Sequence, residues 1–142
     1  MPFATVFKQF LRYHLPPLVY AALIVSVSSI ERLSAPELGW LSTDKLAHMA
    51  EYALFAYLFY RSFSRIGFLR RGALPALSTL LFLILFAASD EYHQQFVEGR
   101  SAEALDLLAD ALGGSLVILL LRHRENTRRL ESRPHELPRE LS

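Results

Sequence analysis

The sequence predicts an all-α integral membrane protein, a bundle of four transmembrane helices with both termini in the cytoplasm. Three observations lead to this fold class. Apolar residues are gathered into blocks, short polar stretches separate the blocks, and basic residues collect on one side of the inferred bundle. Hydrophobic residues make up 52% of the chain, only slightly more than the ~45–50% of average proteins, so their arrangement in blocks decides the class. The 142 residues are typical of one domain.

The first predicted span covers residues 16–30, which carry no charge. Pro16 and Pro17 suit a first helical turn, where their missing N–H groups would have no partner in any case. For residues 3–14 two interpretations stay open, a short interfacial helix or an N-terminal extension of the first span. A cleaved signal peptide is disfavoured because three more apolar blocks follow.

The three further predicted spans cover residues 44–63, 72–90 and 105–121. The first of these is polar in its first half and aromatic in its second, and Thr43 or Asp44 can cap its N-terminus. The last contains a pair of small residues, Ala109 and Gly113, at a spacing that lets helix backbones approach closely. The absence of cysteine excludes a disulfide framework and a thiolate metal site.

The distribution of basic residues predicts the orientation. Twelve of the 15 fall before the first span, in the 61–71 loop or after the last span. The positive-inside rule therefore places both termini and that loop in the cytoplasm. Residues 1–121 form the predicted membrane domain of the inner, cytoplasmic membrane. Residues 122–142 are an Arg-rich cytoplasmic tail that we expect to be disordered or to lie on the surface.

The acidic stretch 89–114 joins the third and fourth spans, and it is the candidate site. Asp106 and Asp110 are one helical turn apart within an apolar span, where a lone acid is unfavourable by roughly 2.5 kcal/mol or more. The second span carries four polar residues on one face by helical spacing, and two more follow if the third span continues outward past Asp90. The predicted meeting layer therefore contains Asp44, His48, Glu51, Tyr52, Glu91, Gln94, Asp106 and Asp110, with Lys45 and Arg100 as the nearby cations.

Three interpretations of this layer stay open. Carboxylates brought close together can move protons, which would make the layer an enzyme site. Alternatively, Lys45 and Arg100 neutralise two acids and the remaining groups form a structural hydrogen-bond network. A divalent metal is the third possibility, with ligands His48, Glu51, Asp106 and Asp110. The arginines of the 61–71 loop are expected to meet anionic lipid headgroups, not nucleic acid.

Two motifs carry a resemblance to a known family. The first is Asp44-Lys45-x-x-His48-x-x-x-Tyr52, and the second is Glu91-x-x-Gln94, then Gly99-Arg100, then Asp106-x-x-x-Asp110-x-x-Gly113. In this order and hydropathy context they resemble the motifs of VanZ-like membrane proteins, a family named for a protein associated with resistance to the glycopeptide antibiotic teicoplanin. Two positions depart from the pattern, since Asp110 stands where the family often has Asn and Glu98 where Pro is common.

The resemblance implies a multi-pass protein of the cytoplasmic membrane that acts on or binds a cell-envelope lipid or precursor and influences teicoplanin susceptibility. The expected catalytic residues are His48, Glu91, Asp106 and Asp110. The expected binding residues are Asp44, Lys45, Tyr52, Gln94 and Arg100, with Lys45 and Arg100 suited to an anionic group such as a phosphate. The alternative is a non-catalytic scaffold or binding protein whose polar layer is structural. The sequence leaves the oligomeric state open.

Overall fold

The computed structural model of the chain describes residues 2–30, 43–98 and 104–132. Every regular element in this part of the chain is helical, which confirms the all-α class. The elements are α1 (Pro2–Gln9), a π-helical turn (Phe10–His14), α2 (Leu15–Ser28), α3 (Thr43–Phe63), α4 (Leu74–Gln94) and α5 (Ala104–Glu131).

The N-terminal elements run together as one helical segment, Phe3–Ser28. Residues 3–14 are therefore helical and continuous with the predicted first span, as in the second of the two interpretations. Its 26 residues extend about 39 Å at 1.5 Å per residue, enough to cross a hydrocarbon core of about 30 Å. The helix begins well before residue 16, the predicted start of the span, because Pro16 and Pro17 open α2 without interrupting the helical backbone, and the π-helical turn precedes them.

The other predicted bounds were short or displaced by a few residues. The helix α4 continues to Gln94, four residues past the expected end, and α5 continues to Glu131. Residues 122–131 are therefore helical, so the expectation of disorder was wrong for them, although most of their side chains lie on the surface as expected. Arginines have high helix propensity, which lets the helix continue beyond the apolar block.

Within the described residues, three helical segments are long and apolar enough to cross a membrane: Phe3–Ser28, Leu74–Gln94 and Ala104–Glu131. The 21-residue α3 is not among them. Its sequence includes Asp44, Lys45, Glu51 and Arg61, which lower its hydropathy. Leucines one turn apart, such as Leu77, Leu81 and Leu85 on α4, are exposed, as is typical of helix faces that contact lipid.

The long helix that is not among these three segments, α3, lies at the centre of the bundle. The helix α3 contacts α2, α4 and α5, and its second half holds the buried residues Tyr52, Phe55, Ala56, Phe59 and Tyr60. Phe59 stacks on Phe82 of α4 with ring centroids 4.3 Å apart. Such aromatic pairs contribute about 0.5–1.5 kcal/mol beyond burial alone. Three neighbouring helices therefore pack on α3, and its remaining face, with Leu46, Leu54 and Tyr57, is exposed.

Contacts between helix ends define an up-down-up-down arrangement. Ser28 at the end of α2 meets Asp90 near the end of α4, and His48 near the start of α3 meets Asp110 near the start of α5. At the other end of the bundle, Tyr60 of α3 donates a hydrogen bond to Glu125 of α5. The buried acidic residues of the 89–114 stretch, Asp90, Glu91, Asp106 and Asp110, are thus collected at the end opposite the 61–71 loop.

Candidate functional site

Two contacts between polar side chains join the first two turns of α3 and α5. Lys45 Nζ lies 2.6 Å from Asp106 Oδ1, and His48 Nδ1 lies 3.0 Å from Asp110 Oδ1. Lys45 and His48 are three residues apart on α3, and Asp106 and Asp110 are four residues apart on α5. At these spacings the two residues of each helix share a face, so both contacts can form side by side. The predicted meeting of His48 with Asp110 is found in the structure.

Glycine allows these helices to approach so closely. The buried Gly113, one turn after Ala109, packs directly on the backbone of Met49. A Cβ at this position would collide with the Met49 carbonyl group. The predicted close approach through Ala109 and Gly113 is therefore present, and it brings short aspartate side chains within reach of α3.

A second polar group joins α2 to α4 around a buried carboxylate. Ser28 Oγ donates to Asp90 Oδ1 at 2.6 Å, and Gln94 Nε2 donates to Asp90 Oδ2 at 3.0 Å. Asp90 is only 7% exposed, and these two donors are neutral. Buried carboxylates require hydrogen-bond donors, and here one comes from the same helix and one from α2.

Sequence reasoning did not identify Ser28 or Asp90 as site residues. A signal was present, since Ser26, Ser28 and Ser29 form a short polar run at the end of an apolar span. Nothing in the spacing, however, indicates which of these serines faces the bundle. The structure answers this: Ser28 is the buried one and donates to Asp90. Ser26 bonds only back to its own helix, and the exposed Ser29 lies 2.9 Å from His93 of α4.

Tyr52 lies beside these groups with an unsatisfied hydroxyl. The side chain is 1% exposed, and its hydroxyl has no hydrogen-bond partner among the described residues. Its ring packs edge-on against Phe55, with centroids 5.7 Å apart. The carboxyls within electrostatic range of Tyr52 are those of Asp110, Asp90, Glu51 and Glu91. A buried hydroxyl without a partner is unfavourable by about 1–3 kcal/mol, so the hydrogen-bonding capacity of this group is left unused within the described part of the chain.

We refer to these side chains together as the polar cluster: Ser28, Lys45, His48, Tyr52, Asp90, Glu91, Gln94, Asp106 and Asp110. Its four carboxylates are all buried. The described cations are Lys45 and, when protonated, His48. In the described part of the chain, no group of three or more His, Asp or Glu side chains is arranged to hold a metal ion, so the proposed set His48, Glu51, Asp106 and Asp110 is not assembled there.

The remaining predicted site residues have different outcomes. Glu51 is half-buried, and its backbone carbonyl accepts a long hydrogen bond of 3.4 Å from Tyr20. Glu91 and Gln94 are buried within the cluster, which follows from α4 continuing past Asp90. Arg100 and the Asp44 side chain lie outside the described residues.

The comparison with protein families gives one match. The profile of the VanZ/LLP1 family matches residues 2–125, most of the 142-residue chain. Comparisons with curated proteins and with solved structures gave no match.

Proposed function

This chain belongs to the VanZ/LLP1 family, and we propose that it is a four-span protein of the cytoplasmic membrane that binds the polar headgroup of a cell-envelope lipid or lipid-linked precursor. The polar cluster is the proposed binding site, and the pair His48–Asp110 carries out acid–base chemistry on the bound group. We expect this activity to change susceptibility to teicoplanin.

The observation that carries the proposal is the buried hydroxyl of Tyr52, which has no described partner although carboxylates lie nearby. In a purely structural network a buried polar group is normally satisfied. A group left open at the centre of the bundle supports a ligand that completes its hydrogen bonding. A headgroup hydroxyl, amine or phosphate could donate to or accept from a phenol.

The acid–base part of the proposal is supported by the contact between His48 and Asp110. An imidazole held by a carboxylate is oriented and can take up a proton from a bound group, the role that such pairs play in many enzymes. Tyr52 is one helical turn after His48 on α3 and therefore lies on the same face. A headgroup that reaches the Tyr52 hydroxyl would also approach the imidazole.

The location at the outer membrane face is supported by the charge distribution. The polar cluster lies at the end of the bundle opposite the 61–71 loop, and that loop holds four arginines and no acid. If the positive-inside rule applies, the cluster faces the periplasm or cell exterior, where envelope precursors are assembled. Lys45, together with Arg100, is the proposed contact for a phosphate of such a precursor.

A non-catalytic function is the second candidate, and a specific observation favours it. Lys45–Asp106 and His48–Asp110 both connect α3 to α5, as paired charges that fix helix register would do. In this case the protein binds its lipid or a partner without chemistry. Asp110→Asn discriminates between the two, because the amide preserves a hydrogen bond to His48 and removes the charge.

The test is teicoplanin susceptibility of a sensitive host that expresses the protein, with each variant checked for equal abundance in the membrane. The variants are Tyr52→Phe, Glu91→Gln, Asp106→Asn and Asp110→Asn, and Tyr60→Phe is the matched control at the opposite end of the bundle. We expect protection by wild type and Tyr60→Phe and loss with Tyr52→Phe and Asp110→Asn. Protection retained by Asp110→Asn alone supports the non-catalytic function. Protection retained by all variants contradicts a role for the polar cluster.

A further inference from the structure

Three guanidinium groups converge on one aromatic ring at the end of the bundle opposite the polar cluster. The Cζ atoms of Arg65, Arg61 and Arg12 lie 4.4, 5.0 and 5.4 Å from the centroid of the Tyr13 ring. Two of these arginines come from the end of α3 and the segment after it, and Arg12 comes from the π-helical turn. Each distance is within the ~6 Å range of a cation–π interaction.

The two prolines explain why an arginine is held at this position. In a helix, the carbonyl of Arg12 would accept from residue 16 in the α register or from residue 17 in the π register. Both residues are prolines and have no N–H. The carbonyl is therefore left open, and Arg61 Nη2 donates to it at 2.6 Å. A second link, His14 Nδ1 to Ser62 Oγ at 2.7 Å, fixes the same two segments together.

This arrangement concentrates positive charge that the described protein does not neutralise. Arg65 is four residues after Arg61, so it reaches the same ring from the next turn. Among the described side chains, no carboxylate forms an ion pair with Arg12, Arg61 or Arg65. The ring offsets only part of the mutual repulsion, since a cation–π contact at an exposed site contributes about 0.5–1 kcal/mol. A bound anion would remove the remainder.

We propose that Arg12, Arg61 and Arg65, gathered around Tyr13, form a binding site for the phosphate of an anionic membrane phospholipid. Guanidinium groups suit phosphate because their planar N–H donors match its oxygens in pairs. Phe10, Leu11 and Leu15, on the same helical segment, are exposed and provide an apolar surface for the acyl chains. A soluble inorganic anion has no apolar part that could pack on this surface. This site is separate from the polar cluster and does not depend on the proposed headgroup chemistry.

The 61–71 loop provides a matched control. Arg70 and Arg71 carry two charges at the same end of the bundle and line an open pocket with Arg129, but neither contacts the Tyr13 ring. Arg12 and Arg65 are exposed to solvent, as Arg70 and Arg71 are. Either pair of arginines can therefore be replaced without creating a cavity in the core. The comparison separates a built site from a general surplus of positive charge.

The experiment is native mass spectrometry of the full-length protein in detergent micelles, titrated with phosphatidylglycerol or phosphatidylcholine. We expect wild type to retain phosphatidylglycerol preferentially. Arg12→Gln/Arg65→Gln should weaken that retention by about tenfold or more, the effect of losing charge-assisted hydrogen bonds. Arg70→Gln/Arg71→Gln should change it by less than about twofold.

Three results overturn the proposal. The first is an equal loss of phosphatidylglycerol retention in the two double variants, which indicates diffuse electrostatic attraction. The second is unchanged retention in both double variants. The third is displacement of phosphatidylglycerol by millimolar inorganic phosphate, which identifies a site for free anions. The single variants Arg65→Gln and Arg70→Gln guard against a folding defect, because each replaces only one exposed side chain, and the link from Arg61 to the backbone carbonyl of residue 12 is kept in all of these variants. Arg65→Gln alone should weaken retention more than Arg70→Gln, and the reverse order also contradicts the site.

Discussion

Gly113 of α5 lies directly against the backbone of Met49 in α3, leaving no space for a Cβ atom. We expect Gly113→Ala to destabilise the bundle by about 1–3 kcal/mol or more, the range for overpacking, because the obstacle is backbone and cannot move aside. At Gly114 the nearest atom to a Cβ is the end of the Leu83 side chain, 2.8 Å away. Gly114→Ala should therefore be milder, and Gly67→Ala, with nothing within 4 Å, nearly neutral. Unfolding in mixed micelles ranks the three variants, and equal effects at Gly113 and Gly67 would contradict the packing.

Tyr52 and Tyr60 should separate function from stability. Tyr52→Phe removes a hydroxyl that has no described partner, so the free energy of unfolding should stay within about 0.5 kcal/mol of wild type or rise. Tyr60→Phe removes a hydrogen bond of 2.8 Å to Glu125 and should lower it by about 1 kcal/mol. In the susceptibility assay the effects should be reversed, so that Tyr52→Phe loses protection against teicoplanin and Tyr60→Phe keeps it. A large loss of stability in Tyr52→Phe would show that its hydroxyl already has a structural partner.

Ser28→Ala should destabilise the junction of α2 and α4. The Ser28 hydroxyl donates to the buried Asp90 carboxylate at 2.6 Å, and a hydrogen bond to a charged group contributes about 1.5–3 kcal/mol. Ser26→Ala is the matched control, since that exposed hydroxyl only bonds back to the Ala22 carbonyl. Thermal unfolding monitored by circular dichroism compares them. The Asp90 contact is refuted if the two serines behave alike.

A double-mutant cycle on Lys45 and Asp106 measures how strongly their 2.6 Å contact couples α3 to α5. Lys45→Met leaves a buried carboxylate without this cation, so it should destabilise more than Lys45→Met/Asp106→Leu, where both charges are absent. We expect a coupling energy of about 0.6–2 kcal/mol, the range for polar contacts within membrane proteins. Additive effects of the two single variants would indicate that the contact does not hold the helices together.

Single cysteines can test whether α3 crosses the membrane, because the natural chain contains none. Phe3, Phe68, Phe96 and Leu130 are all exposed and report the ends of successive helices. With four spans, Phe3→Cys, Phe68→Cys and Leu130→Cys react with an impermeant maleimide only after the cells are opened, while Phe96→Cys reacts in intact cells. If α3 does not cross, Phe3→Cys and Phe68→Cys label from opposite faces.

The apolar blocks of the sequence were sufficient to predict the helical class and the approximate positions of all four long helices. Their exact ends were not predicted, because the apolar residues end before the residues with high helix propensity do. The helix α5 therefore continues through Arg122 and Arg124 to Glu131, where the sequence suggested a tail that is disordered or lies on the surface. Likewise, Pro16 and Pro17 signal a helix start but cannot reveal that the preceding residues are already helical.

Within the site, helical spacing alone determined which residues share a face: His48 with Tyr52, and Asp106 with Asp110. Only the tertiary structure decided the partners, because partner choice depends on helix rotation and on how closely Gly113 lets α5 approach α3. It placed Ser28 on Asp90 and left the Tyr52 hydroxyl open. It also brought Arg12, Arg61 and Arg65 together around Tyr13, although these residues are up to 53 positions apart in the sequence. Such contacts depend on how the helices pack in space, and a sequence pattern shows only how far apart residues are along the chain.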